Sequence, residues 1–233
     1  MYFTIYNNIR DRDAGIKPVS RPDIPTAKEE IEEIKIAGRD GNLYRKKGTL
    51  EDITIEITYN FLARNSAHWA EEFRKIKRYF FSESSGKLMF SDDIGYFYKV
   101  KKVEIGTNER LAKRIGKFTV IYTCEGYIYL KEGEESRKLN DTLYNAFEIS
   151  KPIYEIFGDG ICKFSVNGTE NTLNIGGKLI IDTELQLCYT ELKETANRRL
   201  QGYYEDMYLR EGENTFEISD GFVAKIIPNW RCR

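Results

Sequence analysis

Apolar and polar side chains alternate along much of this chain, and a period of two predicts β-strands with one buried face. The alternation is clearest in residues 53–59, and a shorter version stands at residues 34–37. Between them lies Gly38-Arg39-Asp40-Gly41, where the glycines and the Asp-Gly pair suit the positive φ angles of a tight reversal. The stretch is therefore predicted to contain a β-hairpin.

One segment has a helical period instead. Its apolar side chains recur every three to four positions and form a single stripe. The members of the stripe are Trp69, Phe73, Ile76 and Phe80. With Asn65 or Ser66 as the cap, a helix is predicted over residues 66–82, ended by Ser84-Ser85-Gly86. Its basic side chains are interpreted as a solvated face, with an acidic partner as the alternative.

Strand patterns continue on both sides of a basic loop. Residues 87–90 and 96–105 are predicted strands, and residues 118–124 form a strongly β-branched and aromatic strand. Residues 106–116 are predicted to be a loop. The first part of the chain is therefore expected to be a small β-barrel or sheet with one helix packed on it.

A charged segment with few apolar residues, 131–140, is the predicted linker between two domains, 1–130 and 141–233. Beyond it the elements are short and alternating, which is typical of an antiparallel sandwich. A chain of 233 residues accommodates two domains of about 100–130 residues each.

The charge balance argues against general binding of nucleic acid. The formal net charge is −1, whereas such binding needs a basic stripe. Residues 1–130 carry 23 Lys and Arg against 19 Asp and Glu, and residues 131–233 carry 13 against 18. Residues 1–5 lack a basic start and an apolar run, so no signal peptide is expected. No apolar stretch approaches the ~20 residues of a membrane span, so no membrane partner is expected.

The sequence offers little catalytic chemistry. His68 is the only histidine, so neither a pair of histidine metal ligands nor a catalytic triad with a spare histidine is expected. The widely separated Cys124, Cys162, Cys188 and Cys232 are expected to be reduced, the first three in buried strands. We therefore expect no metal, no cofactor and no enzyme, although paired carboxylates leave a glycan hydrolase as a third interpretation.

The order of these elements resembles that of the distal tail proteins of siphophages, the hubs at the tip of long non-contractile tails. The resemblance covers nearly the whole chain and includes Gly38-Arg39-Asp40-Gly41. It is strengthened by Leu209-x-x-Gly212-x-Asn214-x-Phe216-x-Ile218 and a final Trp230-Arg231. It implies a mainly β chain, with an N-terminal split-barrel-like β domain bearing one α-helix and a C-terminal galectin-like antiparallel β-sandwich. The chain has no room for the carbohydrate-binding modules inserted in some relatives.

The resemblance also implies a place and partners. The first domain would form a ring, commonly of six copies, that continues the tail tube at the virion tail tip, after synthesis in the cytoplasm of the bacterial host. The sandwich would hold tail-associated or receptor-binding proteins, and DNA would only pass through the channel. The acidic cluster of Glu29, Glu30, Glu32 and Glu33 is either a solvated face or part of the channel lining.

Two sets of residues are candidate sites. Self-association is assigned to Gly38, Arg39, Asp40 and Gly41 and to the basic residues Arg110, Lys113 and Arg114. Residues 53–59 and 118–124 are predicted to offer sheet edges that a neighbouring copy covers. The second set is an aromatic platform for a glycan or a partner, consisting of Tyr203, Tyr204, Tyr208 and Trp230. A carbohydrate-binding module acting in host recognition is therefore the alternative function.

Overall fold

A computed structural model of the protein describes residues 2–81 and 86–233. It divides into two compact units, one of residues 1–128 with Arg233 and one of residues 129–232. The paired strands are antiparallel, and the described residues contain a single α-helix. The prediction of a mainly antiparallel β fold with one helix is confirmed.

The first unit contains helix α1 (Trp69–Phe80) and nine strands, the last of which runs two residues into the second unit. The strands are β1 (Thr4–Tyr6), β2 (Ile9–Arg10), β3 (Ile16–Pro18), β4 (Glu29–Lys35), β5 (Asn42–Leu50), β6 (Ile53–Leu62), β7 (Gly86–Phe90), β8 (Asp93–Arg110) and β9 (Ile115–Leu130). Seven of them form one sheet in the order β2-β1-β7-β8-β9-β6-β3, and β4 pairs only with β5.

The predicted alternation in β6 and β9 builds the centre of this sheet. The two strands pair from Ile53 opposite Cys124 to Leu62 opposite Ile115. Every second side chain of β6 is buried, and the intervening ones face outward. β9 has β6 on one side and β8 on the other, so the free edge expected at 118–124 is wrong. β3 pairs with β6 only at Tyr59, Asn60 and Phe61, so most of the edge expected at 53–59 has no described strand beside it. An isolated strand sequence does not reveal its place in the sheet.

Helix α1 covers the apolar face of the sheet. Ile76 and Phe80 are buried, and Trp69 and Phe73 pack against the same core while staying partly exposed. The helix begins at Trp69 rather than at the predicted residue 66, because the Asn65 side chain accepts the amides of Ala67 and His68 in a preceding turn. The predicted end at Ser82 and the Ser84-Ser85 break lie outside the described residues.

The predicted hairpin exists, with a different second strand. Residues 36–41 connect β4 to β5, and Ile34 lies opposite Leu43. The sequence had placed the partner at residues 53–59 because β5 is charged and lacks alternation. We call residues 29–50 the ribbon, since they form a two-stranded sheet of their own.

The predicted loop at residues 106–116 is wrong. β8 continues through Gly106 to Arg110, and β9 begins at Ile115, so only a tight turn separates the two strands. The amide of Leu111 donates to the carbonyl of Ile115 at 3.0 Å and closes that turn. Gly106 interrupts the apolar pattern without ending the strand, which is why the sequence suggested a loop.

The second unit is built around one long hairpin. Its strands are β10 (Arg137–Lys138), β11 (Thr142–Asn145), β12 (Ile153–Val166), β13 (Thr169–Asp182), β14 (Leu187–Tyr189), β15 (Leu200–Gln201), β16 (Gly212–Ile218), β17 (Val223–Ile227) and β18 (Arg231–Cys232). β12 and β13 pair over their full length. The first half of β12 also pairs with β17 and its second half with β16.

Glycine allows β12 to bend where its second partner changes. Gly158 has a φ of 147°, and a Cβ atom there would collide with the ring of Phe222. It lies opposite Gly177 on β13. A strand of L-residues would resist this bend, since such a φ favours glycine.

Residues 131–140, predicted to link two domains, lie within the second unit. Lys131–Glu134 form a turn of 3₁₀ helix, and β10 pairs with β17. Gly133 packs directly against the backbone of Trp230. The segment therefore reads as polar because it is exposed, although its backbone is held in place. No described helix is both long and apolar enough to cross a membrane.

Candidate self-association surfaces

The ribbon is joined by charges across its two strands. Lys46 reaches Glu29 at 2.6 Å, Arg45 reaches Glu32 at 2.6 Å, and the Thr49 hydroxyl donates to Glu30 at 2.6 Å. Hydrogen bonds from Lys46 and then Arg233 lower the pKa of Glu29. The acidic cluster seen in the sequence therefore lies on β4, where basic residues of β5 compensate much of its charge.

The ribbon also exposes apolar side chains. The exposed fractions are 48% for Ile31, 40% for Ile36, 40% for Leu43 and 60% for Tyr44. An isolated two-stranded hairpin is at best marginally stable in water, and exposed pairs of charges add little. The register places Ile31 and Tyr44 on one face of the ribbon and Leu43 on the other, so each face offers apolar surface that another molecule can cover.

The ribbon tip holds the first predicted set. Gly38 and Gly41 have φ angles of 77° and 79°, and a Cβ atom at either position would meet nothing within 4 Å. The Arg39 amide donates to the Ile36 carbonyl at 3.2 Å. Arg39 and Asp40 are exposed. The glycines are thus required by the backbone conformation, while the space around the tip is open.

The second predicted set lies at the turn between β8 and β9. The Arg110 guanidinium stacks 5.3 Å from the Trp69 ring centroid and donates to the Ser66 carbonyl at 2.9 Å. It also donates to the Lys113 carbonyl at 2.7 Å, and Arg114 donates to the Ala63 carbonyl at 2.9 Å. Both arginines therefore fix the start of the helix region, and Lys113 keeps an exposed side chain.

A sheet edge without a described partner strand was missed by the sequence interpretation. The first residue of β7, Gly86, pairs with Val100 of β8, so residues 101–110 have β9 on one side and no described strand on the other. Exposed edges pair readily with other chains. Continuation of the alternation past Val100 hinted at a long strand, but the edge follows only from where β7 begins.

The first unit also has a polar sheet face opposite its core. On β6 this face carries Thr54, Glu56, Thr58 and Asn60. The Thr58 and Thr119 hydroxyl oxygens lie 3.0 Å apart across to β9. Hydroxyl, amide and mixed charged side chains make this face hydrophilic without a single dominant sign of charge.

The four predicted platform residues differ in exposure. Tyr203 is 73% exposed, whereas Trp230 is 8% exposed and stacks with Arg137 at 4.5 Å. The Tyr204 hydroxyl donates to Cys188 Sγ at 3.5 Å, and Tyr208 lies 5.8 Å from the Lys151 ammonium. The platform stays a prediction in which Tyr203 offers the most accessible ring.

The remaining chemistry of the described residues is structural. No group of three or more His, Cys, Asp or Glu side chains in ranges 2–81 and 86–233 is placed to hold a metal ion. His68 Nδ1 contacts Asn65 at 2.6 Å just before the helix. Cys124, Cys162 and Cys188 are free thiols, and all three are buried. Burial raises the pKa of the Cys124 thiol to about 12.

Two comparisons identify what the chain resembles. Residues 14–124 match the family model of the phage tail protein RIFT-related domain. The fold matches the Dit protein of phage SPP1, a hub of the adsorption apparatus in phages that infect Gram-positive bacteria, with a TM-score of 0.69 and 12% identity over 97% of this chain and 98% of that chain. No curated protein sequence gives a significant match.

The fold also matches chains from the baseplate of phage P2 in its activated conformation. For the baseplate with calcium the TM-score is 0.57 at 10% identity, over 100% of this chain and 98% of that chain. For the baseplate with strontium it is 0.54 at 9% identity, over 97% and 96%. The resemblance to siphophage distal tail proteins is confirmed.

Proposed function

We propose that this chain, a phage tail protein with the fold of a siphophage distal tail protein, forms the hub ring that joins the tail tube to the tip. A structural role at the tail tip follows from its RIFT-related domain and its end-to-end fold match. The observation that carries the ring is the presence of two β surfaces without a described partner strand, the ribbon and the β8 edge, on the unit that holds this domain. Nothing found supports the carbohydrate-binding alternative.

In this proposal the ribbon of each copy packs on the next copy. Its exposed apolar side chains, Tyr44 above all, would be buried there, and the open space around Gly38-Arg39-Asp40-Gly41 leaves room for a neighbour. A contact between two different surfaces is heterologous, and it closes a ring when the rotation between successive copies divides a full turn evenly, without a shift along the axis. Six copies is the number we propose.

The β8 edge gives the ring a second contact. Backbone donors and acceptors of residues 101–110 that face away from β9 can pair with a strand of the adjacent copy. Lys113, exposed at the nearby turn, adds a charge that can reach an acidic surface, while Arg110 and Arg114 act by holding the turn rigid. The sheets of all copies would then be continuous.

The polar face of these sheets would line the channel. Its threonines and asparagine are hydrated, and its charges are mixed, so passing DNA would meet no strongly basic surface that retains phosphates. The apolar face and helix α1 would then point away from the axis. The protein would act by geometry and would not be an enzyme.

The second unit would carry the contacts to other tip components. We propose the tail tube protein, a tail-associated protein and receptor-binding proteins as partners, with no membrane contact. The site of action would be the virion tail tip, after synthesis in the host cytoplasm. Tyr203 is the aromatic side chain best placed to meet such a partner.

The proposal predicts that the first unit alone self-associates. A fragment of residues 1–130 keeps β9 whole, and it should form the same closed rings as the full chain at high concentration. Light scattering gives the mass and electron microscopy the closure. Two results would show that the interface does not lie in the first unit. One is ring formation by residues 131–233 alone, and the other is a monomeric 1–130 fragment at a concentration where the full chain forms rings.

A further inference from the structure

Helix α1 carries a basic patch that the ring contacts do not use. Lys77 and Arg78 follow Arg74 by three and four residues, so the three exposed side chains share one side of the helix. No salt bridge joins any of them to a carboxylate within the part of the chain that is described, and Lys77 lies 5.5 Å from the Phe73 ring centroid. Lys75, on the same helix, contacts Glu71 at 3.1 Å and Glu72 at 3.3 Å.

This patch surrounds an exposed aromatic ring. Phe81, directly after the helix, is 56% exposed, and with the three basic residues it lines one open depression. Like charges at these spacings destabilise a helix, although the two nearest the C terminus interact favourably with its dipole. An apolar ring among unpaired cations fits a partner that is acidic and presents an apolar side chain.

The second unit of the same chain exposes a segment of that chemistry. In the turn of residues 190–194, Leu192 is 81% exposed between Glu191 and Glu194. The Thr190 amide donates to the Glu194 carbonyl at 2.9 Å, and the Lys193 amide donates to the Thr190 carbonyl at 2.9 Å. The turn is therefore a backbone-fixed projection with an apolar tip, two carboxylates and the ammonium of Lys193, which together leave it one net negative charge.

We propose that the 190–194 turn of one copy docks on the helix patch of a second copy. Leu192 would cover Phe81, while Glu191 and Glu194 would face Arg74 and Arg78. Each copy carries both complementary surfaces and leaves Phe81 and Leu192 exposed, which makes a second copy the partner that fits. The contact joins two different surfaces and can repeat from copy to copy.

The contact would be weak and sensitive to salt. A single turn covers much less than the roughly 800 Å² per partner of a stable interface, so it would act together with other contacts. Its charges are exposed, and beyond about 8–10 Å they are screened at physiological ionic strength. A protein partner is favoured over DNA because the chain has a net charge of −1 and the patch includes an aromatic ring.

A charge exchange on the full chain tests this contact. Arg74→Glu with Arg78→Glu makes both surfaces acidic, and Glu191→Lys with Glu194→Lys makes both basic. Each double variant alone should weaken self-association at low salt at least about tenfold, measured by sedimentation equilibrium. An equimolar mixture should recover to within about threefold of wild type, since acidic patches then meet basic turns. Lys75→Gln, at a compensated position, should have no effect.

Three results would overturn the contact. The first is a mixture whose self-association is the average of that of its two components. The second is a wild-type chain that does not self-associate, or double variants that self-associate as strongly as wild type. The third is wild-type binding of short duplex DNA that is abolished by Arg74→Glu with Arg78→Glu. The contact needs two copies but no closed ring. Absence of this contact would therefore not contradict the hub ring. Salt-sensitive pairing of copies without closed rings would contradict the ring but not this contact.

Discussion

Replacing the ribbon, residues 29–50, by a short flexible linker should leave a folded protein that no longer forms rings. The ribbon has its own two-stranded sheet, and most of its side chains are exposed. Its removal therefore takes little from the core, whereas it deletes the apolar surface proposed to cover the next copy. Light scattering should report a monomer at concentrations where the intact chain forms rings, with an unchanged melting temperature.

A point substitution separates this contact from the general loss of apolar surface. Tyr44→Ser removes the most exposed ribbon aromatic, at 60% exposure. Leu62→Ser removes an apolar side chain of 63% exposure at the end of β6, outside the ribbon. Tyr44→Ser should weaken ring formation at least about tenfold, a typical loss when a central interface aromatic is removed, and Leu62→Ser should weaken it less. Equal losses of ring formation in the two variants would contradict a specific role of the ribbon.

Phe80→Ala should be the most destabilising substitution on helix α1, at about 3–5 kcal/mol. Phe80 is 1% exposed. Its ring centroid lies 4.7 Å from that of Tyr79, 5.9 Å from Tyr59 and 6.1 Å from Phe118. Truncation would leave a cavity among rigid rings that cannot collapse to fill it. Urea denaturation measures the change in the free energy of unfolding.

Two neighbours on the helix serve as controls. Phe73 is only partly buried although it stacks on Phe61 at 5.8 Å, so Phe73→Ala should cost less than Phe80→Ala. Arg74 is exposed, so Arg74→Ala should change the free energy of unfolding by less than about 0.5 kcal/mol. Equal losses for Phe80 and Phe73 would mean that the helix sits differently on the sheet.

Sequence patterns predicted the elements whose stability comes from burial. The alternation of residues 53–59 and 118–124 gave the paired strands β6 and β9, and the apolar stripe gave helix α1. The helix start was misplaced by three residues because the Asn65 side chain supports a turn first. Burial on one face leaves a periodic pattern in the sequence, whereas local hydrogen bonds decide at which residue an element begins or ends.

Elements that depend on pairing alone left no such signal. β5 is held by charges and backbone bonds to β4, so its sequence reads as a polar connection. Gly106 suggested a break although β8 runs through it, and β13 likewise runs through Gly176 and Gly177. A glycine in a strand permits a bend without ending the backbone ladder.

The candidate sites could be predicted only in part. The ribbon tip was found from its glycines, since their conformation is local. The β8 edge without a described partner depends on where β7 begins, and the roles of Arg110 and Arg114 depend on carbonyls about 40–50 residues away in the chain. Contacts between distant segments are invisible to periodicity.

Electron cryomicroscopy of the full chain at high concentration, alone and with the tail tube protein, shows directly whether the hub ring forms. We expect closed rings of six copies in which the β6 and β9 polar face lines an open channel and each ribbon lies on the neighbouring copy. The helix should face outward. A protein that stays monomeric in both samples, or a ring with helix α1 lining the channel, would contradict it.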